Sequence, residues 1–388
     1  MLSNRLKSIM VKQIEVEVNH TVEDVRESID EISNDSFFTY GWFKTLESFG
    51  RIPEPFYLTL NAKKNIVAFA PCFLDKADDF FDWGPNIFPF LRRLLRAAQK
   101  FGFFKENVML CYSPACCRTK VFFADKYDDE TILDLFVREI DVICKKHRIL
   151  FSSFLFVSEF DDPLMKNLEH LNYVKFPNVV TYYLDVKWAN FDSYLQSLKG
   201  RTSIKREIKD FMKSGVAIKE ESISEEIAEK LSKLSANTFF KHGQDESTKL
   251  DPSFFMKLAM NANDKIRLLV ARKDDKIIGF ALFLQHKDML DGYMNGFDYT
   301  ALTDVRFLYW NLWYYEPIQL AIEEKIKKIY YRYFQDRAKI SRGCKPEQTY
   351  TFVRCHNLIL GPFVNSLLRS RAYSRLKSSF LRDYFKNQ

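Results

Sequence analysis

The residues best suited to chemistry gather in a few places. Tyr293, Asn295, Gly296, Phe297 and Asp298 lie together at the end of a short apolar stretch. In a regular strand Tyr293 and Asn295 point to one face, towards a substrate or, for Tyr293, into the core. Gly296 permits close backbone approach or serves turn geometry alone. Asp298 can take a proton from an amine or orient it; as a turn residue it caps the next helix. Glu316 stands within the apolar, aromatic surface Leu308–Ile322. Burial there raises a carboxyl pKa towards that of a base, unless an Arg or Lys of the same domain pairs with it. Lys339 and Arg342, three residues apart, can converge on an anion. Arg201, Lys205, Arg206 and Lys209 form a cationic helix edge, which is either a phosphate-binding or a solvated face.

Metal and thiol chemistry find no support. No spacing among the 7 Cys and 6 His matches a zinc site. Cys111, Cys116 and Cys117 are close in sequence without metal-like companions, and no His and acid recognisably accompany a Cys nucleophile. Uneven cysteine spacing and the lack of a visible secretory signal point to free thiols in a reducing cytoplasm. Met1–Val11 is basic but has no long apolar run. No window approaches a membrane-spanning helix.

These residues need a scaffold, and 388 residues favour two domains over one core. With 47% hydrophobic and 28% charged residues, the composition is that of a globular protein. The net charge of +7 suits a phosphate-bearing partner or an anionic membrane surface, and equally an ordinary basic surface. The organising stretch is Ile266–Ile326. Two strands, Arg267–Ala271 and Ile277–Gln285, flank a polar turn; a third, Leu290–Asn295, precedes a long amphipathic helix at about Val305–Ile326. An earlier stretch has the same plan, with strands Phe56–Leu60 and Ile66–Leu74 around a basic turn. There Ala68-Phe69-Ala70 takes the place of Gly279-Phe280-Ala281, as a duplication would produce. Leu91–Lys100 and Arg371–Lys386 read as basic amphipathic helices, for a membrane surface or for packing with snorkelling side chains.

The element order, strand, two helices, hairpin, strand, helix, strand, helix and hairpin, resembles the GNAT acyltransferase fold. The chain resembles FemAB-like tandem-GNAT proteins, also grouped as BioF2-like acetyltransferases, over about Ser36–Leu368. The resemblance rests on Ser36-Phe37-Phe38 with Leu46-Glu47-Ser48, Cys111-Tyr112-Ser113-Pro114-Ala115 with Arg118, and Leu198-Lys199-Gly200-Arg201 to Arg206-Glu207. It continues through Asn295-Gly296-Phe297-Asp298, Tyr314-Tyr315-Glu316-Pro317-Ile318 to Ala321-Ile322-Glu323, and Lys339-Ile340-Ser341-Arg342-Gly343-Cys344-Lys345-Pro346 with Thr349.

The resemblance implies an α/β (α+β) fold of two tandem GNAT-like domains, each a mixed, mostly antiparallel sheet flanked by helices. These are expected at 12–186, with a basic insertion at 75–105, and at 187–370, with a basic tail at 371–388. It implies an N-acyltransferase whose C-terminal domain binds acyl-CoA as co-substrate; the alternative donor is aminoacyl-tRNA, and a non-catalytic scaffold is a third reading. Asn295, Gly296, Phe297, Lys339 and Arg342 would bind the donor, and Arg201, Lys205 and Arg206 its phosphates. Asp298, Glu316 and Tyr293 would be catalytic. No permanently bound cofactor or metal is expected, and the location would be cytoplasmic, at most peripheral to a membrane. Two departures matter. Gln335-Asp336-Arg337-Ala338-Lys339 lacks the family's Glu and His before the Lys, and Asp298–Arg306 lacks the glycine pattern of a CoA pyrophosphate loop.

Overall fold

The computed structural model describes residues 14–52, 54–62, 65–76, 107–114, 116–124, 130–243, 250–333, 336–357, 361–370 and 372. In chain order the strands are β1 (Ile14–Asn19), β2 (Pro55–Ala62), β3 (Asn65–Lys76), β4 (Asn107–Cys111), β5 (Phe122–Phe123), β6 (Phe151–Ser158), β7 (Val174–Asp185), β8 (Ala217–Glu220), β9 (Ile266–Lys273), β10 (Lys276–His286), β11 (Met289–Phe297), β12 (Lys328–Tyr330) and β13 (Lys345–Cys355). The helices used below are α1 (Tyr40–Ser48), α2 (Glu130–Lys146), α3 (Asp162–His170), α4 (Arg201–Met212), α5 (Glu225–Lys241) and α6 (Pro252–Ala262). Most start on a side-chain cap. Thr39 accepts from the Trp42 N–H, Ser224 from Ile227, and Asp251 from Ser253 just before Pro252.

The chain forms two compact units that are not contiguous in sequence. One comprises residues up to Ser33, Ile52–Val180 and Glu347 onward; the other comprises Asn34–Arg51 and Thr181–Pro346. A division at 186/187 therefore misses an exchange of segments. The α1 region joins the second unit, and most of β13 joins the first. The insertion expected from residue 75 starts later, because Asp75 and Lys76 still pair with Val108 and Asn107. Its remainder, and the tail from 371 apart from Ala372, lie outside the described residues, as do both basic amphipathic helices expected there.

In the first unit β1, β2, β3 and β4 pair antiparallel, β4 pairs β6 parallel, and β13 pairs β6 antiparallel. Phe136, Ile140 and Cys144 of α2 and Leu164 and Leu168 of α3 cover the sheet, against Leu58, Ala70, Phe154 and Phe352. In the second unit β8, β9, β10 and β11 pair antiparallel, β11 pairs β12 parallel, and β12 pairs the end of β7 antiparallel. The two layouts match even in a defect. Val67 of β3 is an extra residue between the pairs Ile66↔Asn61 and Ala68↔Leu60, and Ile278 of β10 is an extra residue immediately before Gly279↔Ala271. Each unit is thus a mixed, mostly antiparallel sheet flanked by helices. Among the described residues no helix is long and apolar enough to cross a membrane.

A buried polar cluster in the first unit has a measurable consequence. Ser152 Oγ lies 2.7 Å from both Tyr173 Oη and His356 Nε2, Tyr173 donates to Asp141 at 3.2 Å, and Arg354 pairs with Asp141. Burial, then the charges of Arg354 and Lys145, depress the His356 pKa to about 3. Below its ordinary pKa the unfolded histidine is protonated while the folded one is not. Stability contributed by His356 is therefore present above about pH 6.5 and lost as pH falls, by at most about 1.4 kcal/mol per unit. Asp141, raised by burial, works in the opposite sense at lower pH. Denaturant unfolding at pH 7.5 and 5.5 should show a loss at pH 5.5 that His356→Asn largely removes; an equal loss in both proteins would rule this out.

Candidate functional site

The two units differ where their parallel strands end. In the first, β4 and β6 pair from Val108↔Phe151 to Cys111↔Phe154, and the chain then folds back across the gap. Ser113 bridges Arg118, Thr119 bridges Val157, and the Thr119 hydroxyl donates to the carbonyls of Cys111, at 2.8 Å, and Leu155. Cys116, Arg118 and Thr119 are buried there. This gap is filled by the protein's own loop.

In the second unit β11 and β12 pair only over Met289↔Lys328 to Asp291↔Tyr330. β11 then continues to Phe297 alongside β10 alone, while the chain after β12 stays with β7: Tyr331 N–H donates to Tyr182 O, and Tyr182 N–H to Arg332 O. The strands part and no described segment pairs across the opening. The Asp298 N–H bonds Ile278 O at 2.9 Å. By the alternation of an antiparallel ladder, the N–H groups of Asn295 and Phe297 then point away from β10, into the opening.

Aromatic side chains line both faces of this opening. On one, Trp313 stacks on Phe283 at 4.9 Å and Tyr314 lies 4.8 Å from Tyr331. On the other, Tyr293 lies 5.2 Å from Trp42, 5.9 Å from Phe37 and 6.0 Å from Phe254. Gly292 sits between the strands; a Cβ there would meet the Trp313 ring at 2.8 Å and Tyr330 O at 3.3 Å. The Trp42 indole N–H, the Tyr331 hydroxyl, and Nε and Nη2 of Arg332 are buried without a hydrogen-bond partner. Such groups are costly unless water or a ligand satisfies them.

Residues 17–378 match the FemAB-like family, described as peptidoglycan biosynthesis/recognition. The chain belongs to the FemAB-like family. Among solved structures it is similar to FemX, with a TM-score of 0.62 at 12% identity over 90% of this chain and 100% of that one. It is also similar to the C-terminal domain of a putative lysylphosphatidylglycerol synthetase from Agrobacterium fabrum, with a TM-score of 0.55 at 11% identity over 93% and 98% of the two chains. The L-PGS structure from Bacillus licheniformis gives 0.51 at 10% identity over 90% and 99%. At these identities the likeness concerns the fold alone. No curated protein sequence matches the chain.

In this FemAB-like chain the expected site residues are dispersed. Tyr293 and Asn295 do not share a face. Tyr293 is an extra residue between Leu282↔Met294 and Phe283↔Gly292, and this bulge turns it towards Phe254 and Phe37. Asn295, paired with Ala281, stays in step with Gly279↔Phe297, the pair that meets Leu312. Burial pushes the Tyr293 hydroxyl up to about 12, although Arg332 and Arg51 pull it down, so it is protonated at neutral pH. Gly296 is required for packing. A Cβ would come within 2.6 Å of the Leu234 carbonyl carbon and 2.7 Å of the Ser235 nitrogen, so α5 approaches the strand over it. Phe297 is buried, and its carbonyl accepts from the Asn237 amide at 3.4 Å.

Asp298 caps the following turn through Thr300 N–H, the Thr300 hydroxyl and Ala301 N–H, and the Thr300 bond first of all lowers its pKa. It is a weak base. Glu316 has a pKa raised by burial and then by Glu323, and no described residue pairs with it. It follows Asn311–Tyr315, a π-helical stretch between Leu308–Trp310 and Glu316–Glu323. Pro317, which lacks an N–H, lies just beyond, and the wider turn before it accommodates the missing hydrogen bond.

Lys339 and Arg342 do not converge on one vacant anion site. Lys339 donates to the carbonyls of Arg332 and Tyr333, each at 2.8 Å. Arg342 lies 3.9 Å over the Trp310 ring and donates at 2.9 Å to both Glu207 and the Tyr315 hydroxyl. Arg201, Lys205 and Arg206 remain exposed along α4 with no ion pair to a described residue. Arg206 and Arg306 both act on Asp210, so the loop before Leu308 adds a cation to this edge. Among the described residues no three His, Cys, Asp or Glu side chains gather as a metal site. Ser152, His356 and Asp141 have the composition of a nucleophilic triad, but Ser152 is fully buried and its hydroxyl also engages Tyr173.

Sequence reasoning missed Arg332 and Arg51. Arg332 lies in Tyr330-Tyr331-Arg332-Tyr333, where an arginine among aromatics after a strand was the available signal.

Proposed function

We propose that the chain transfers an acyl-type group, aminoacyl included, from an activated donor to an amine, with the reaction centred between the parted strands of the second unit. The observation that carries this reading is the opening itself. It exposes unladdered N–H groups at Asn295 and Phe297, placed to receive a carbonyl oxygen as negative charge develops on it. The Tyr293 hydroxyl, protonated at neutral pH, suits proton delivery to the departing oxygen or sulfur better than proton removal. The amine would attack as the free base, and the proton it loses as the amide forms would replace the one that Tyr293 delivers.

Between donors, the reading favours an aminoacyl ester of tRNA over acyl-CoA. FemAB-like membership associates the chain with peptidoglycan biosynthesis, the loop Asp298–Arg306 lacks the CoA glycines, and the Arg201, Lys205 and Arg206 edge with Arg306 fits a phosphate backbone. Calorimetric titration with aminoacylated tRNA and with acetyl-CoA tests this choice. Salt-sensitive tRNA binding, lost when Arg201, Lys205 and Arg206 become Glu, is expected. Tight acetyl-CoA binding without tRNA binding would make acyl-CoA the donor, and binding of neither would leave a scaffold.

A further inference from the structure

The opening contains a cation that the transfer chemistry above does not use. Arg332 lies two residues beyond β12, and its backbone is left-handed at φ 57°, a conformation that costs a non-glycine residue free energy. Three bonds hold it there: Lys339 Nζ and Tyr182 N–H donate to its carbonyl at 2.8 and 3.1 Å, and Lys339 also ties Tyr333. The family-like lysine thus positions the arginine. The guanidinium is centred 5.2 Å from the Tyr293 ring and 5.4 Å from the Phe37 ring, a cation held between two aromatic faces.

No described acid neutralises it. Arg332 has no ion pair, and its Nε and Nη2 are buried without a partner. Asp291, paired across the ladder with Tyr330, accepts from the Ser36 hydroxyl. A second cation is close: Arg51 and Arg332 both act on the Tyr293 phenol, and Arg51 is exposed with its guanidinium 5.7 Å over Phe49. A buried arginine fork without a partner, with the charge of a second arginine felt at the same phenol, is an incomplete ion pair. A carboxylate or phosphate oxygen pair completes such a fork.

We propose that Arg332, with Arg51 beside it, holds an anionic group of the amine-bearing substrate close to the reacting nitrogen. This rests on the transfer reading for the identity of the amine, though not for the existence of the anion site. The group is assigned to the acceptor because of position. Tyr293 is two residues from Asn295, where the donor carbonyl would bind; the phosphates of a CoA thioester lie a whole pantetheine arm away, and those of a tRNA donor are assigned above to the Arg201, Lys205, Arg206 and Arg306 edge. The subsite also lies on the Phe37, Trp42 and Phe254 face, opposite the helical face that carries Leu312 and Trp313. The acceptor class is therefore an amine with a carboxylate or a phosphate a few bonds away, and plain alkyl amines would bind poorly.

Calorimetry with small probes tests this without knowledge of the natural substrate. Phosphoethanolamine and glycine are compared with ethanolamine and glycinamide, which lack the anion. At least one probe with the anionic group should bind ten-fold or more tightly than its counterpart without it, and the preferred member names phosphate or carboxylate. Arg332→Met should remove that preference, and Arg51→Met should weaken it several-fold, with ethanolamine and glycinamide bound no more weakly than before. Should Arg332→Met fail to fold, Arg332→Lys keeps the charge without the fork and should retain only part of the preference. Equal affinity for probes with and without the anionic group, a preference that survives both substitutions, or no anion-bearing probe bound at millimolar concentration would overturn the proposal. Failure of every donor to bind would instead sink the transfer reading, with this discrimination intact.

Discussion

Replacing Arg342 with alanine should cost about 3–5 kcal/mol of stability, because it leaves a half-buried carboxylate without its cation. Arg342 is only 5% exposed. Its guanidinium connects Glu207 of α4, the Tyr315 hydroxyl and the Trp310 ring, and Tyr315 itself donates to Glu207 at 2.5 Å. The Arg342 carbonyl also accepts from the Tyr194 hydroxyl at 3.1 Å. Losing the side chain strands Glu207 and empties the space over Trp310. The double variant Glu207→Gln, Arg342→Met removes both charges and keeps an apolar body over the indole, so it should recover much of the loss. Denaturant midpoints of the wild type, the single variants and the double variant give the coupling directly. If Arg342→Ala unfolds like the wild type but fails to bind donor, Arg342 is a ligand contact and not a structural one.

Asn295→Pro should lower transfer about 100-fold or more, the usual effect of deleting one oxyanion donor. Proline deletes the backbone N–H and nothing else that the ladder needs at this position, because that N–H points away from β10. Met294 before it is already extended, as a residue preceding proline prefers. Asn295→Ala retains the N–H and should keep turnover within a few-fold. Single-turnover transfer by the two variants, with unfolding midpoints alongside, separates a lost hydrogen bond from a lost fold. Equal turnover in the proline and alanine variants would remove this N–H from the mechanism.

Local pattern reveals the sheet units and fails where the chain departs from regularity. The hairpins β2–β3 and β9–β10 were legible because apolar runs flank short polar turns, and their shared layout extends to an extra residue at Val67 and at Ile278. The face of Tyr293 was not legible, since one bulge reverses the parity on which alternation depends. Gly296 is ambiguous in sequence; the approach of α5 over it determines its role. Asp298 fits the capping alternative that was read beside its catalytic one. Lys339 and Arg342 are basic residues in a matched motif, and spacing alone cannot show that carbonyls and Glu207 already occupy them. Arg51 and Arg332 are 281 positions apart, so only the exchange of Asn34–Arg51 into the second unit brings them to one phenol.

Hydrogen exchange read at individual peptides, with and without aminoacylated tRNA or acetyl-CoA, tests the central claim most directly. Donor should slow exchange across Gly292–Phe297 and leave Val108–Cys111 unchanged, since among the described residues the gap between parallel strands is bridged in the first unit and open in the second. Protection confined to Val108–Cys111, or none at Gly292–Phe297 when a donor is bound, would contradict it.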